Sequence, residues 1–134
     1  MIYVLDTSVI LKWFLDEEGT TEALEFKTRY EHGEITIVAP DLLIYEVSNV
    51  LRFKKDFTEI ATRESLKSII MLRLELFYPS ESILNEAIHF SYRTHLTIYD
   101  CFYIALAIKL NCQLITADKK IYDTSHHFLR VKLL

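Results

Sequence analysis

Apolar residues in this chain change period several times, and each change marks an element. Short unbroken runs, "MIYVLD", "EITIVAP", "LELFYP", "CQLIT" and "FLRVKLL", predict strands. Between them the apolar positions recur every three or four residues. That spacing predicts helices over "SVILKWFL", "EALEFKTRYEH", "LLIYEVSNVLRF", residues 58–73, "SILNEAIHFSYRTH" and residues 98–110, with a short helical turn at "DKKIYDT". Thr20 or Thr21 is the expected cap of the second helix and Gly33 its stop, Pro40 with Asp41 opens the third, and Asn111 is a fitting C′ residue. Glu59 and Arg63 are spaced for an i, i+4 pair on a solvated face.

Strands alternating with helices imply right-handed βαβ crossovers and a parallel sheet covered on both sides. The expected fold is therefore an α/β sandwich. With only 2 Gly, 2 Pro and no Ser-rich linker or repeat, residues 1–134 read as a single domain.

Two acids interrupt the apolar stripes. In "IYDCFYIALAI", residues 98–108, Asp100 shares a helix face with Tyr103, Ile104 and Ala107. Glu46 lies one and a half turns into the third helix, on a face with Leu43, Val47 and Val50. Two more acids stand at strand ends: Asp6 closes the first strand and Asp118 follows "CQLIT". Ligand sites of open parallel sheets lie beyond the carboxyl ends of the strands, so all four are expected on one edge.

Clustered carboxylates repel one another, and a divalent cation reverses that penalty. An oxygen-only set without His or Cys suits Mg²⁺ or Mn²⁺ rather than zinc. Such a site can activate a water and neutralise a phosphate, which is the chemistry of phosphodiester hydrolysis. Taken singly, each acid has an ordinary explanation. Asp100 complements a helix dipole, Asp118 caps "KKIYD", Asp6 sits in a strand-end turn, and Glu46 is a helix acid or a salt-bridge partner.

Composition changes the picture in two ways. A net charge of −4 and a pI near 5.7 do not supply the basic footprint of a polyanion binder, so the expected ion has to hold the phosphate. Lys12, Lys119, Lys120 and "RFKK" at 52–55 are the cations available for flanking phosphates, although such a run is also an ordinary solvated helix end. A hydrophobic content of 51%, with 8 Phe and 8 Tyr, predicts a well-packed core, in which Trp13 and Phe14 are expected to take part. No apolar run approaches the roughly 20 residues of a membrane span, and Asp6 interrupts any signal-peptide core. The expected location is cytoplasmic. Cys101 and Cys112 lack metal or redox spacing and read as buried free thiols. His126 and His127 are adjacent, are expected to point apart, and are not read as a metal pair.

At this point the sequence resembles the PIN-domain ribonucleases, and among them the VapC-type toxins of toxin–antitoxin pairs. The resemblance rests on "LDTSVIL", "YEVSNVL", "YDCFYIALA" and "LITADKK", in that order and across essentially the whole chain. It implies a three-layer α/β/α sandwich whose parallel sheet of about five strands runs 3-2-1-4-5. It also implies Mg²⁺ or Mn²⁺ dependence and endonucleolytic cleavage of RNA, with an activated water attacking phosphorus in line. Asp6, Glu46, Asp100 and Asp118 carry over as the catalytic and metal-ligating quartet, Asp6 and Asp100 foremost, with Asp123 as substitute should Asp118 point away. Thr7, Ser8 and Thr116 match hydroxyl positions that orient those carboxylates. The resemblance further implies a homodimer and a cognate antitoxin whose tail fills the acidic groove.

Other readings make different demands. A haloacid-dehalogenase-type phosphatase wants a second Asp two residues after the first, where this chain has Ser8. A non-catalytic PIN-like binding module has no reason to retain four repelling acids. A housekeeping RNA-processing PIN nuclease shares the chemistry and lacks only the antitoxin.

Overall fold

Three of the predicted strands form the middle of one sheet because their β-branched, uncharged runs can be buried from both sides. The computed structural model describes residues 1–134. Its sheet comprises β1 (Ile2–Leu5), β2 (Thr36–Pro40), β3 (Glu75–Phe77), β4 (Gln113–Thr116) and β5 (Val131–Leu133). The spatial order is β3-β2-β1-β4-β5, and every neighbouring pair is parallel. This is the order that the resemblance implies. Tyr3 stands level with Ile37 on one side and Gln113 on the other, so β1 is the central strand, with Val4 and Leu5 wholly buried. The two edge strands are three residues each and mostly exposed or half-buried.

Helices complete the layers: α1 (Thr7–Leu11), α2 (Thr20–Glu31), α3 (Leu42–Phe53), α4 (Glu59–Leu72), α5 (Glu81–Thr94), α6 (Ile98–Lys109) and α7 (Lys119–Ser125). The chain steps from β1 to β2 to β3 and then returns past β1 to β4, and with the right-handed crossovers that parallel strands require this reversal puts the helices on opposite faces. On one of them α6 lies across β1, β2 and β4 with α5 packed along it; on the other, α1 and α3 lean on β4 and β2 and on each other.

The most deeply placed helix is α6. Cys101, Tyr103, Ile104, Ala105, Leu106 and Ala107 are all buried, as befits a helix apolar nearly all the way round. Each large side chain of this kind contributes about 1.5–3 kcal/mol. Thr97 opens the helix by accepting the Asp100 N–H at 3.1 Å, and Asn111 closes it at φ 48° as its C′ residue. Cys112 N–H then reaches back to Ala107 O at 3.0 Å, which turns the chain into β4. No helix is long and apolar enough to cross a membrane.

Local expectations fail in three places. The first helix is regular only to Leu11, not through Leu15, because Lys12 is drawn inward. Its ammonium donates to Glu17 Oε1 at 3.0 Å and Glu18 O at 2.6 Å. Lys12 is therefore a buried latch on the loop that follows, not a free contact for phosphate. The second helix is capped by Gly19 at φ 83° rather than by Thr20 or Thr21, since Thr20 Oγ1 donates to Leu15 O at 2.8 Å. Pro40 and Asp41 do open α3, with Asp41 at its N-cap position and the Asp41 N–H donating to Phe77 O at 3.0 Å. The last strand covers only Val131–Leu133 of the predicted seven residues.

Candidate active site

Asp6 leaves β1 with its N–H still on the ladder, donating to Ile115 O at 3.2 Å, and then serves as the N-cap of α1. Its side chain is buried and held by three donors. Oδ1 accepts from the Ser8 hydroxyl and from the Val9 N–H at 3.3 Å, and Oδ2 accepts from the Thr116 hydroxyl at 2.5 Å. Burial nevertheless dominates and pushes the carboxyl up to about 6, with the charge of Asp100 adding to the rise.

The same hydroxyls tie the ends of β1 and β4 together. Ser8 Oγ accepts the Ala117 N–H at 2.8 Å, and Thr116 Oγ1 accepts the Asp118 N–H at 3.0 Å. Asp118 thus emerges beside Asp6. One of its oxygens, Oδ1, caps α7 by accepting from Lys120 N–H at 2.8 Å and Ile121 N–H at 3.3 Å. The ordinary explanation of Asp118 is therefore correct, and it uses only one of the two oxygens.

Glu46 comes from α3, one helix away. Its Oε1 accepts from Thr7 Oγ1 at 2.9 Å and from the Tyr103 hydroxyl at 2.7 Å. Asp100, in the first turn of α6, is half-buried. Desolvation raises its pKa, the Thr97 hydroxyl lowers it, the charges of Asp118 and Glu46 raise it, and Lys120 lowers it. The mutual repulsion expected of clustered acids is thus present in the site.

These residues line one cleft of about 200 Å³, which brings together Asp6, Thr7, Ser8, Glu46, Asp100, Tyr103 and Asp118. Thr116 lies beneath its floor, wholly buried. Asp123 does not line the cleft; it is exposed and pairs with Lys119 at 2.5 Å. No three acid, histidine or cysteine side chains close on a single point as a ready ligand cage. The donor set itself fits a hard divalent cation. It consists of carboxylate and hydroxyl oxygens alone, Asp6 and Asp100 are raised first by burial and then by neighbouring carboxylates, and the hydrogen bonds of Asp6 hold it in place.

Tyr103 is the member that the sequence reading places only in the core. Its ring is buried with the apolar stripe, yet its hydroxyl reaches the cleft. Burial and the Glu46 charge push the phenol far above its ordinary range, so it remains a donor. The available signal was a polar atom on the Asp100 face, one turn along. A second groove of about 190 Å³ adjoins through sequence neighbours of the site, with Tyr45, Tyr99 and Phe102 in its walls. Asp41 is its one charged residue, so it lacks the chemistry of the acid cleft.

Remaining candidates fall elsewhere. Trp13 and Phe14 pack against the core, and Trp13 Nε1 donates to Ala23 O at 2.8 Å. The rings of His126 and His127 do not point apart as expected. They sit 3.9 Å apart at the end of α7, where helical rather than extended backbone brings them together. Cys101 and Cys112 are free and buried, and burial pushes the Cys101 thiol up to about 11. Within "RFKK", Arg52 lies over the Phe53 ring at 4.8 Å, and the run is exposed.

The model of the PIN domain family matches residues 3–126. No curated protein matches the sequence. Among solved structures, VapBC2 from Rickettsia felis, bound to a DNA fragment from its promoter, is similar at 18% identity and a TM-score of 0.72, over 100% of this chain and 99% of that one. VapC20 from Mycobacterium tuberculosis, a toxin that cleaves the sarcin–ricin loop, is 13% identical with a TM-score of 0.72 over 96% of both chains. VapBC-5 from the same organism, a member of the VapBC family of toxin–antitoxin systems, is 15% identical with a TM-score of 0.66 over 99% of this chain and 97% of that one. At these identities the shared property is the fold.

Proposed function

The chain belongs to the PIN domain family, and on that footing we propose that it is a metal-dependent endoribonuclease, the toxin of a type II toxin–antitoxin pair. The observation that carries this reading is the convergence of Asp6, Glu46, Asp100 and Asp118, from four separate segments, on one cleft at the carboxyl edge of the sheet. A fold of this kind does not require four acids there, and their repulsion costs stability unless a cation is bound.

Asp6, Glu46, Asp100 and Asp118 are the residues that would hold Mg²⁺ or Mn²⁺. When bound, such an ion lowers the pKa of a water and offsets the charge that develops on a phosphodiester. The chain's own residues set the geometry. Ser8, Val9 and Thr116 fix Asp6 against the end of β4, and Thr7 steadies Glu46. Lys120, whose charge lowers the Asp100 pKa, is the cation we assign to a phosphate beside the scissile one. Arg52, Lys54 and Lys55 offer a more distant charged run for the RNA backbone.

RNA as substrate is supported by the chemistry of the cleft together with the activity of the sarcin–ricin-cleaving structural neighbour. A cognate antitoxin is supported by the toxin–antitoxin neighbours, and its tail would place a basic side chain among the carboxylates. We further assign the chain to the cytoplasm as a single-domain protomer of a homodimer. The test is induced expression with mapping of RNA ends. Wild type is expected to arrest growth and to create discrete new 5′ ends, whereas Asp6→Asn does neither and loses at least about a hundredfold in cleavage rate in vitro. Equal arrest and cutting by the variant would overturn the assignment.

A further inference from the structure

Glu46 is the acid of the cleft that is held by hydroxyls from two other helices. Thr7 from α1 and Tyr103 from α6 both donate to its Oε1, at 2.9 and 2.7 Å, and the two hydroxyl oxygens lie 2.8 Å from each other. No protein donor reaches Oε2. Since no buried side-chain oxygen or nitrogen in the molecule lacks a partner, Oε2 is not buried, and Glu46 lines the cleft.

Resting on the metal-dependent reading above, we propose that Tyr103 is a positioning residue, whose hydroxyl acts with Thr7 to hold Glu46 Oε1 so that Oε2 is presented to a divalent cation in the cleft. A phenylalanine would fill the same apolar space. Burying a hydroxyl at a position only 1% exposed is unfavourable unless it is bonded, and its acceptor, Glu46, belongs to the cleft. A glutamate free to sample its rotamers would lose that freedom on binding an ion, and a clamp on one oxygen removes the loss in advance. The clamp also joins the supports of the site, because α6 then supplies both Asp100 and the group that aims the acid of α3.

The test uses the purified full chain and Mn²⁺ itself. By calorimetric titration Tyr103→Phe is expected to bind Mn²⁺ about tenfold more weakly than wild type, the scale on which groups supporting metal ligands act. The Mn²⁺ concentration for half-maximal RNA cleavage should rise by the same factor, with the rate at saturating Mn²⁺ within about twofold. In a Glu46→Ala background the Tyr103→Phe effect should vanish, because the residue acts through Glu46. Equal affinity in wild type and Tyr103→Phe, or an undiminished loss in the Glu46→Ala background, would overturn the proposal.

Should Tyr103→Phe not fold, NMR of otherwise wild-type protein makes the same decision. The Tyr103 hydroxyl proton should exchange slowly in wild type and at least tenfold faster in Glu46→Ala, and unchanged exchange would overturn the clamp. Failure of the metal-dependent reading is separately visible, because wild type would then show no Mn²⁺ binding before any substitution is made, and both proposals would fall.

Discussion

The two ends of the sheet are built from the same strands and differ in how their polar groups are satisfied. At the amino end, a depression of about 300 Å³ is lined by Met1, Ile2, Leu110, Asn111, Cys112, Gln113 and Arg130. There the Arg130 guanidinium donates to Asn111 O at 2.9 Å, and the turn from α6 into β4 is closed by backbone bonds. At the carboxyl end the cleft is smaller, about 200 Å³, and carries four acids whose charges oppose each other. The larger hollow holds one charged side chain, bonded to a carbonyl, whereas the smaller one gathers four charges of the same sign. What separates a candidate site from a packing defect here is the convergence of like charges rather than volume.

The largest expected effect sharpens this contrast directly. At pH 7.5, Mn²⁺ at a hundredfold excess over its dissociation constant should stabilise wild type by about 2.7 kcal/mol, seen as a rise in melting temperature. Asp100→Asn should lose that rise, whereas Asn111→Ala, at the other end, should keep it. Identical ion-induced shifts in wild type and Asp100→Asn would erase the distinction between the two ends.

A second expectation concerns the ion-free protein. Asp6 titrates near 6 in the fold against an ordinary 3.8, so the folded state binds the extra proton between those values. At about 1.4 kcal/mol per unit, keeping Asp6 charged costs roughly 3 kcal/mol above that window, of which roughly half returns on lowering the pH to 5. Asp100, also raised, adds in the same direction. Melting measured in chelator should therefore rise as pH falls from 7.5 to about 5, and Asp6→Asn should flatten the profile. A profile that falls instead over that range would show that burial does not govern Asp6. Because protons and the cation compete for the same oxygens, Mn²⁺ affinity should weaken across the same interval.

The smallest effect belongs to the amino end. Asn111 sits at φ 48°, a conformation that Asn tolerates better than most residues, so Asn111→Ala should cost about 1 kcal/mol in chemical denaturation. Cleavage should be unchanged within about twofold, and a larger loss of activity would mean that the two ends are coupled.

Those three expectations bear unequally on what the sequence disclosed. The strands of the sheet were legible because a period change needs no knowledge of tertiary contacts, and Asp6, Glu46, Asp100 and Asp118 stood out against apolar surroundings. Their gathering into one cleft followed from the topology alone. Tyr103 was hidden by its own ring, since a residue that fills the core with carbon atoms gives no sign of where its one polar atom points. Lys12 misled for the opposite reason. A lysine is read as solvated, and only the fold of the loop at residues 15–19 reveals a carboxylate and a carbonyl waiting for it. Thr20 failed as a predicted cap because its hydroxyl turns back to the Leu15 carbonyl instead of the adjacent helix end.

The double duty of Asp118 has a practical corollary for anyone dissecting the cleft by mutagenesis. Replacing it with alanine would fray α7 as well as delete a charge, so a dead enzyme would confound two causes. Asparagine keeps an oxygen for the helix start and discards only the anion, which makes it the cleaner scalpel.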